Sequence, residues 1–247
     1  MSQGDAPVVS YTRRERLRIA TIREIKDVAR ELLVQQGPEN VTIRAIARDM
    51  GMTAPAVYRY FTSRDALIMA LRADIFAEMA ERVRVMTEAL PADDPGRRLI
   101  AAARALRAWA LRNPHEFGLV LGPWTQGLGR SGARPDPETG WSVFGSLWSD
   151  LFEDLWRVRP WPVPEVAELE PALVEQLRGL SEAQEITLPT GAIAVMLRCW
   201  VRLYGLMCLE TLGFMSFALA DGEAFFEREL LDLTRVVGIE DLFEREA

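Results

Sequence analysis

Apolar residues recur along this 247-residue chain at helical spacing almost from end to end, and no stretch alternates with the period of two that a strand requires. The first segment sets Ile22, Ile25, Ala29, Leu32 and Leu33 on one stripe and stops at Gly37 and Pro38. Ile43, Ile46, Ala47 and Met50 then fall at i, i+3, i+4 and i+7, with Thr42 placed as N-cap and Gly51 as the terminating glycine. A further helix runs from Thr53 to Phe61, with Pro55 in its first turn, where a missing N–H costs nothing. Val57 and Phe61 lie one turn apart and pack inward, which turns Ala54, Pro55, Tyr58 and Arg59 to the other side. Ser63 caps a long fourth helix that carries Ile68, Leu71, Ile75 and Met79 as far as the turn LPADDPG at 90–96.

The remainder is helical too. Residues 97–112 place arginines opposite Leu99, Ala102, Ala103, Leu106, Trp109 and Ala110, and Pro114 stops them. His115 to Gln126 reads as a short apolar helix, and the glycines and prolines of 127–140 mark a surface loop. An aromatic helix follows, with Trp141, Phe144, Trp148, Phe152, Leu155 and Trp156. The break RPWPVP at 159–164 leads to an acidic helix over 165–180, then to the most hydrophobic helix of the chain over 189–220, and to a last helix over 223–237. The pattern predicts an all-α protein. An N-terminal arm and three-helix helix-turn-helix domain take residues 1–62, and a larger helical domain takes 63–247.

Charge sharpens this division. The whole chain carries a net charge of −7, which argues against a nucleic-acid partner. Residues 1–72, however, hold 12 Arg and Lys against 8 Asp and Glu, a net of +4, and the rest carries −11. Arg13, Arg14, Arg16 and Arg18 cluster ahead of the first apolar stripe, suited to an arm that touches phosphates or a minor groove. A helix, a glycine-containing turn and a second helix is also the arrangement that lays its second helix in a major groove.

The segment TIRAIARDMGMTAPAVYRYFTSRDAL resembles the DNA-binding segment of the TetR family of bacterial transcriptional regulators, through Ile46 and Ala47, Gly51, the run Tyr58 to Phe61, and Ser63 to Leu67. The resemblance implies base or phosphate contacts at Arg44, Thr53, Ala54, Pro55, Tyr58, Arg59, Tyr60 and Arg64. Arg64 stands where the family usually has lysine, and Tyr60 where it often has histidine; both replacements still donate to a phosphate. Phe61 reads as core. Further on, Trp200, Tyr204 and Gly205 resemble the WHG subgroup of TetR C-terminal domains, with tyrosine in the place of its histidine. The family implies a homodimer through the helices around 189–220 and 223–237, double-stranded operator DNA as partner, and a body that responds to a small molecule.

Catalysis finds little support. His115 is the only histidine and suits a surface or cap position, and there is neither a cysteine cluster nor a glycine-rich phosphate loop, so no catalytic residue, metal or cofactor is expected. Cys199 and Cys208 lack CxxC spacing, which fits a reduced, cytoplasmic protein. The N-terminus has no signal-peptide core, and no uninterrupted apolar run approaches membrane length, so a soluble chain without a membrane partner is expected. Seven tryptophans invite a pocket for a hydrophobic or aromatic small molecule, with Trp109, Phe117, Trp124, Phe144, Trp148 and Tyr204 as expected lining. The function expected is a ligand-responsive regulator, a repressor at a near-palindromic operator. The alternatives are a helical small-molecule-binding protein or a partner-binding adaptor without sequence-specific DNA function.

Overall fold

Ten α-helices and no strand occur among the residues that the computed structural model describes, which are 12–121 and 140–243, the side chains of 140–143 excepted. The chain folds as two compact units, 1–71 and 72–247, so the division falls inside the fourth helix, beyond the sequence boundary at 62/63.

In the first unit, α1 (Arg13–Gln36) opens on a capping box. Thr12 Oγ1 accepts from the Glu15 N–H at 3.2 Å, and the Glu15 carboxylate accepts from the Thr12 N–H at 2.7 Å. Residues 13–20 are all exposed; the buried stripe begins at Ile25 and continues through Ala29, Leu32 and Leu33. α2 (Ile43–Asp49) is capped as its sequence predicts, Thr42 Oγ1 accepting from the Ala45 N–H at 3.2 Å. Gly51 follows with φ 64°, a left-handed turn that lets the Met52 N–H reach back to Ala47 O at 2.8 Å. α3 (Ala54–Tyr58) is shorter than the pattern predicts. Thr53 makes no side-chain cap bond, and the chain leaves the helix as a tight turn in which Tyr60 and Phe61 both donate to Val57 O, at 2.9 and 3.2 Å. Ser63 Oγ then caps α4 (Arg64–Glu88), accepting from the Ala66 N–H at 3.0 Å.

In the second unit α5 (Pro95–Arg112) packs against α7 (Gly140–Val158) and α9 (Thr190–Thr211). α6 (Pro114–Leu121) and α8 (Pro171–Gln184) lie on α9, and α10 (Glu223–Val236) contacts α9 and α5. α9 is the organising element, and its start passes close beneath the 159–164 break: a Cβ on Gly191 would stand 2.5 Å from Pro164 O.

Two boundaries differ from the sequence expectation. The acidic segment begins as a single 3₁₀ turn at Val166–Glu168, and its helix starts at Pro171, whose ring fits the first turn of a helix but not its interior. The most hydrophobic helix ends at Thr211. Residues 212–218 form turns around Gly213 at φ 75°, leaving Phe214 and Phe217 exposed. α9 is long and apolar enough by length and composition to cross a membrane, and 44% of its most apolar window is buried within the protein. Trp124 and the segment 127–139 lie outside the described residues.

Candidate nucleic-acid interface and ligand-sized cavity

Burial sorts the helix-turn-helix residues into two sets. Ile43, Ile46, Ala47, Val57 and Phe61 form the inner face, none more than 8% exposed. Arg44, Thr53, Pro55, Tyr58, Arg59 and Arg64 are exposed, and Ala54 and Tyr60 are half-buried. Pro55, Tyr58 and Arg59 stand at i, i+3 and i+4, hence on one side of α3.

Their electrostatic circumstances differ. The guanidinium groups of Arg44 and Arg59 have no partner among the described residues, whereas Arg48 beside them is tied to Asp49 at 2.8 Å. Arg64 is anchored within the fold: Nε donates to Val41 O at 2.7 Å and Nη2 to Pro38 O at 2.8 Å, clamping the connection between α1 and α2 to the start of α4. Tyr60 carries the Arg18 guanidinium 5.4 Å from its ring centroid, so one arginine of the basic cluster is held against the turn after α3.

The second unit holds a cavity of about 160 Å³, partly open to solvent, between α5, α7, α8, α9 and α10. Of the residues expected to line a ligand pocket, Phe144 and Trp148 lie on this cavity. Trp109, Phe117 and Tyr204 do not. Trp109 and Phe117 are 2% and 0% exposed and belong to the core, Trp109 standing well along α5 from Leu99, Ile100 and Ala103, which form the α5 wall. Tyr204 is turned away to donate its hydroxyl to Leu121 O at the end of α6. Trp200 takes the place expected of it, stacked on the Tyr204 ring at 5.5 Å and 6°, and forms an aromatic corner with Phe144 and Trp148 at 5.7 Å from each. The missed lining had a signal. Phe144, Trp148 and Phe152 repeat every four residues on α7, and Met196, Cys199, Trp200 and Leu203 follow i, i+3, i+4, i+7 on α9.

One charged cluster ties the walls together. Arg107 of α5, 8% exposed, grips Glu210 of α9 through two bonds of 2.9 and 2.6 Å, also donates to Glu223 of α10, and sits 4.9 Å from the Phe226 ring centroid. Burial opposes the charge of this guanidinium, and the bonds to Glu210 and Glu223 outweigh it, so its pKa is raised. No cluster of His, Cys, Asp and Glu able to hold a metal ion occurs among the described residues.

Both units match known families. The family model for bacterial regulatory proteins of the tetR family fits residues 25–71, and the one for the tetracyclin repressor-like C-terminal domain fits residues 99–233. The chain belongs to the TetR family. The crystal structure of the regulatory protein SCO4313 resembles it with a TM-score of 0.66 and 31% identity, covering 90% of this chain and 98% of that one. The HTH-type transcriptional regulators Rv1816 of Mycobacterium tuberculosis and Mb1846 of Mycobacterium bovis are each 37% identical over 117 residues, 47% of this chain. This TetR-family chain spans about half the length, 49%, of the curated relatives it matches. RolR in complex with resorcinol shares the fold alone, with a TM-score of 0.53, 16% identity, and coverage of 94% of this chain and 96% of that one.

Proposed function

We propose that this TetR-family protein is a cytoplasmic transcriptional repressor and not an enzyme. It binds a near-palindromic operator as a homodimer and is released from it by a hydrophobic small molecule. The observation that carries this reading is the sorting of α2 and α3: Val57 and Phe61 are buried while Pro55, Tyr58 and Arg59 stand exposed and Arg44 and Arg59 lack partners among the described residues. An α3 laid in a major groove would bring the apolar Ala54 and Pro55 to thymine methyls, and Thr53, Tyr58 and Tyr60 to phosphates. Arg64 would contribute through the one guanidinium nitrogen, Nη1, that makes neither of its carbonyl bonds.

Dimerisation through α9 and α10 is supported by their uncovered apolar side chains, Val201 at 58%, Leu209 at 49% and Phe225 at 43% exposed. Gly205 on the same helix has nothing within 4 Å of a built Cβ, room for a second helix to approach closely. Two heads on a two-fold axis require half-sites related by that axis.

Binding to DNA from the gene's own upstream region, against an unrelated fragment of equal length over a salt series, tests the reading. A preference for the upstream fragment with steep salt dependence supports it; equal weak binding to both fragments, with no sequence enriched from random DNA, sinks it. Within that assay, Arg44→Ala is expected to cost about 1–3 kcal/mol and to relax specificity at one base pair. Uniform weakening on every sequence would reassign Arg44 to a phosphate.

Release would start from the cavity, and contacts within the second unit support a route from there to Arg72 on α4. Trp200 of the cavity wall stacks on Tyr204, whose hydroxyl holds Leu121 O, and the neighbouring Val120 O accepts from Arg72 of α4 at 3.2 Å. A ligand displaces this chain of contacts only as far as it binds the two arrangements unequally. Tyr204→Phe is expected to leave operator affinity unchanged and to raise the ligand concentration needed for release, measured by titrating ligand into the protein–DNA complex. Unaltered release would remove Tyr204 from the path.

A further inference from the structure

Among the described residues no charged side chain lines the cavity, and polar side chains are few, the half-buried amide of Gln184 being one of them. The hydroxyl of Ser149 donates to Ser146 O at 3.0 Å, and that of Thr234 to Leu231 O at 2.7 Å, so both hydrogens are engaged within their own helices. The Cys199 thiol is pushed up to about 11 by burial and stays neutral. Trp148 differs from all of these. It is 7% exposed, lines the cavity, and its indole Nε1 is buried with no acceptor among the described residues. The nitrogen is closed off from a water-sized probe, so an occupant supplies the missing acceptor only where the Trp148 ring turns to bring the N–H to the cavity surface, and that pairing removes the cost of a buried, unpaired donor.

Size and shape narrow the occupant. An apolar cavity of roughly 150 Å³ holds a single benzene ring, and this one measures about 160 Å³. Phe144, Trp148 and Trp200 meet one another at 5.7 to 6.2 Å and offer an aromatic corner suited to the edge or face of a planar ring. An ion would enter with no countercharge to meet it, so ionised acids and amines are excluded. Resting on the reading of this cavity as the effector site, we propose that the effector is a neutral molecule of about one ring, whose oxygen accepts a hydrogen bond from Trp148 Nε1–H.

Four probes test this by calorimetry and by NMR of the indole N–H resonances in the full-length protein. Acetophenone offers a ring and an acceptor, propylbenzene a ring without one, benzoate a ring with a charge, and decanoate an extended chain. Acetophenone is expected to bind wild type about fivefold tighter than it binds Trp148→Phe, which keeps a ring and loses the donor. Propylbenzene should bind both alike, and benzoate and decanoate should not compete. In wild type one indole N–H should move downfield with acetophenone and none with propylbenzene, a readout independent of how well the variant folds.

Equal acetophenone affinities for wild type and Trp148→Phe overturn the proposal, as do preferential binding of benzoate or decanoate and absence of acetophenone binding at millimolar concentration. Ala103→Trp separates this failure from a broader one by filling the cavity. Loss of acetophenone there, with Trp148→Phe neutral, leaves the cavity as the site and removes only the hydrogen bond. Acetophenone bound equally by Ala103→Trp means that the cavity is not the site, and the effector reading fails with the proposal.

Discussion

Replacing Arg107 with methionine is expected to destabilise the protein by about 3–5 kcal/mol, the cost of leaving a buried carboxylate without its partner. Glu210 is the side chain left exposed to this penalty, because it is only 10% accessible and takes both of its bonds of 2.9 and 2.6 Å from Arg107. Glu223, 61% accessible, returns to water at little cost. The double variant Arg107→Met with Glu210→Leu should recover most of the loss, since no buried charge then remains, and the urea midpoints of the four proteins close a double-mutant cycle. A single-variant loss below about 1 kcal/mol would mean that Glu210 finds water or another donor once the arginine is gone. Because Arg107, Glu210 and Glu223 lie on α5, α9 and α10, the helices that also wall the cavity, the loss should appear in the second unit, with the head helices keeping their amide protection longest.

Legibility from sequence followed the range of the interactions. The head was readable because its determinants are local: Thr42 caps α2, Gly51 turns the chain at φ 64°, and Ser63 caps α4, each within four residues of what it bonds. The two-faced pattern of Val57 and Phe61 against Pro55, Tyr58 and Arg59 is likewise set by helical spacing alone. Arg64 shows where that reading stops. Its identity suggests a phosphate contact, but its bonds to Val41 O and Pro38 O span more than twenty residues of sequence and give it a fixed place in the fold.

The cavity lining was less legible for the same reason. Aromatic content marks a helix as inward-facing without saying whether it meets a void or another side chain. Trp109 and Trp148 look alike in sequence, yet one fills the core and the other lines a space, because that depends on which residues α8 and α10 bring opposite. The end of α9 at Thr211 was hidden by Leu212, Phe214 and Phe217, apolar residues on both sides of Gly213 that continue the hydrophobic run beyond the helix.

Charge reversal at Arg59 is expected to have the largest effect on DNA binding of any single change in the head, weakening operator affinity by several kcal/mol at low salt, the cost of placing like charges together. Arg59 stands exposed at the end of α3 with no partner among the described residues, so reversal removes a free cation and sets a carboxylate where a phosphate or guanine would lie. Arg48→Glu is the control. It changes the net charge by the same amount on the same unit, but its guanidinium is 71% accessible and already engaged with Asp49, so it should cost far less. The gap between the two variants should narrow as salt rises, because screening weakens repulsion from the phosphates while leaving direct contacts in place. Thermal stability should stay within about 0.5 kcal/mol of wild type for both, as for other exposed positions. Equal loss in the two variants would show that the head is held to DNA by its overall charge, and would remove α3 as the reading helix.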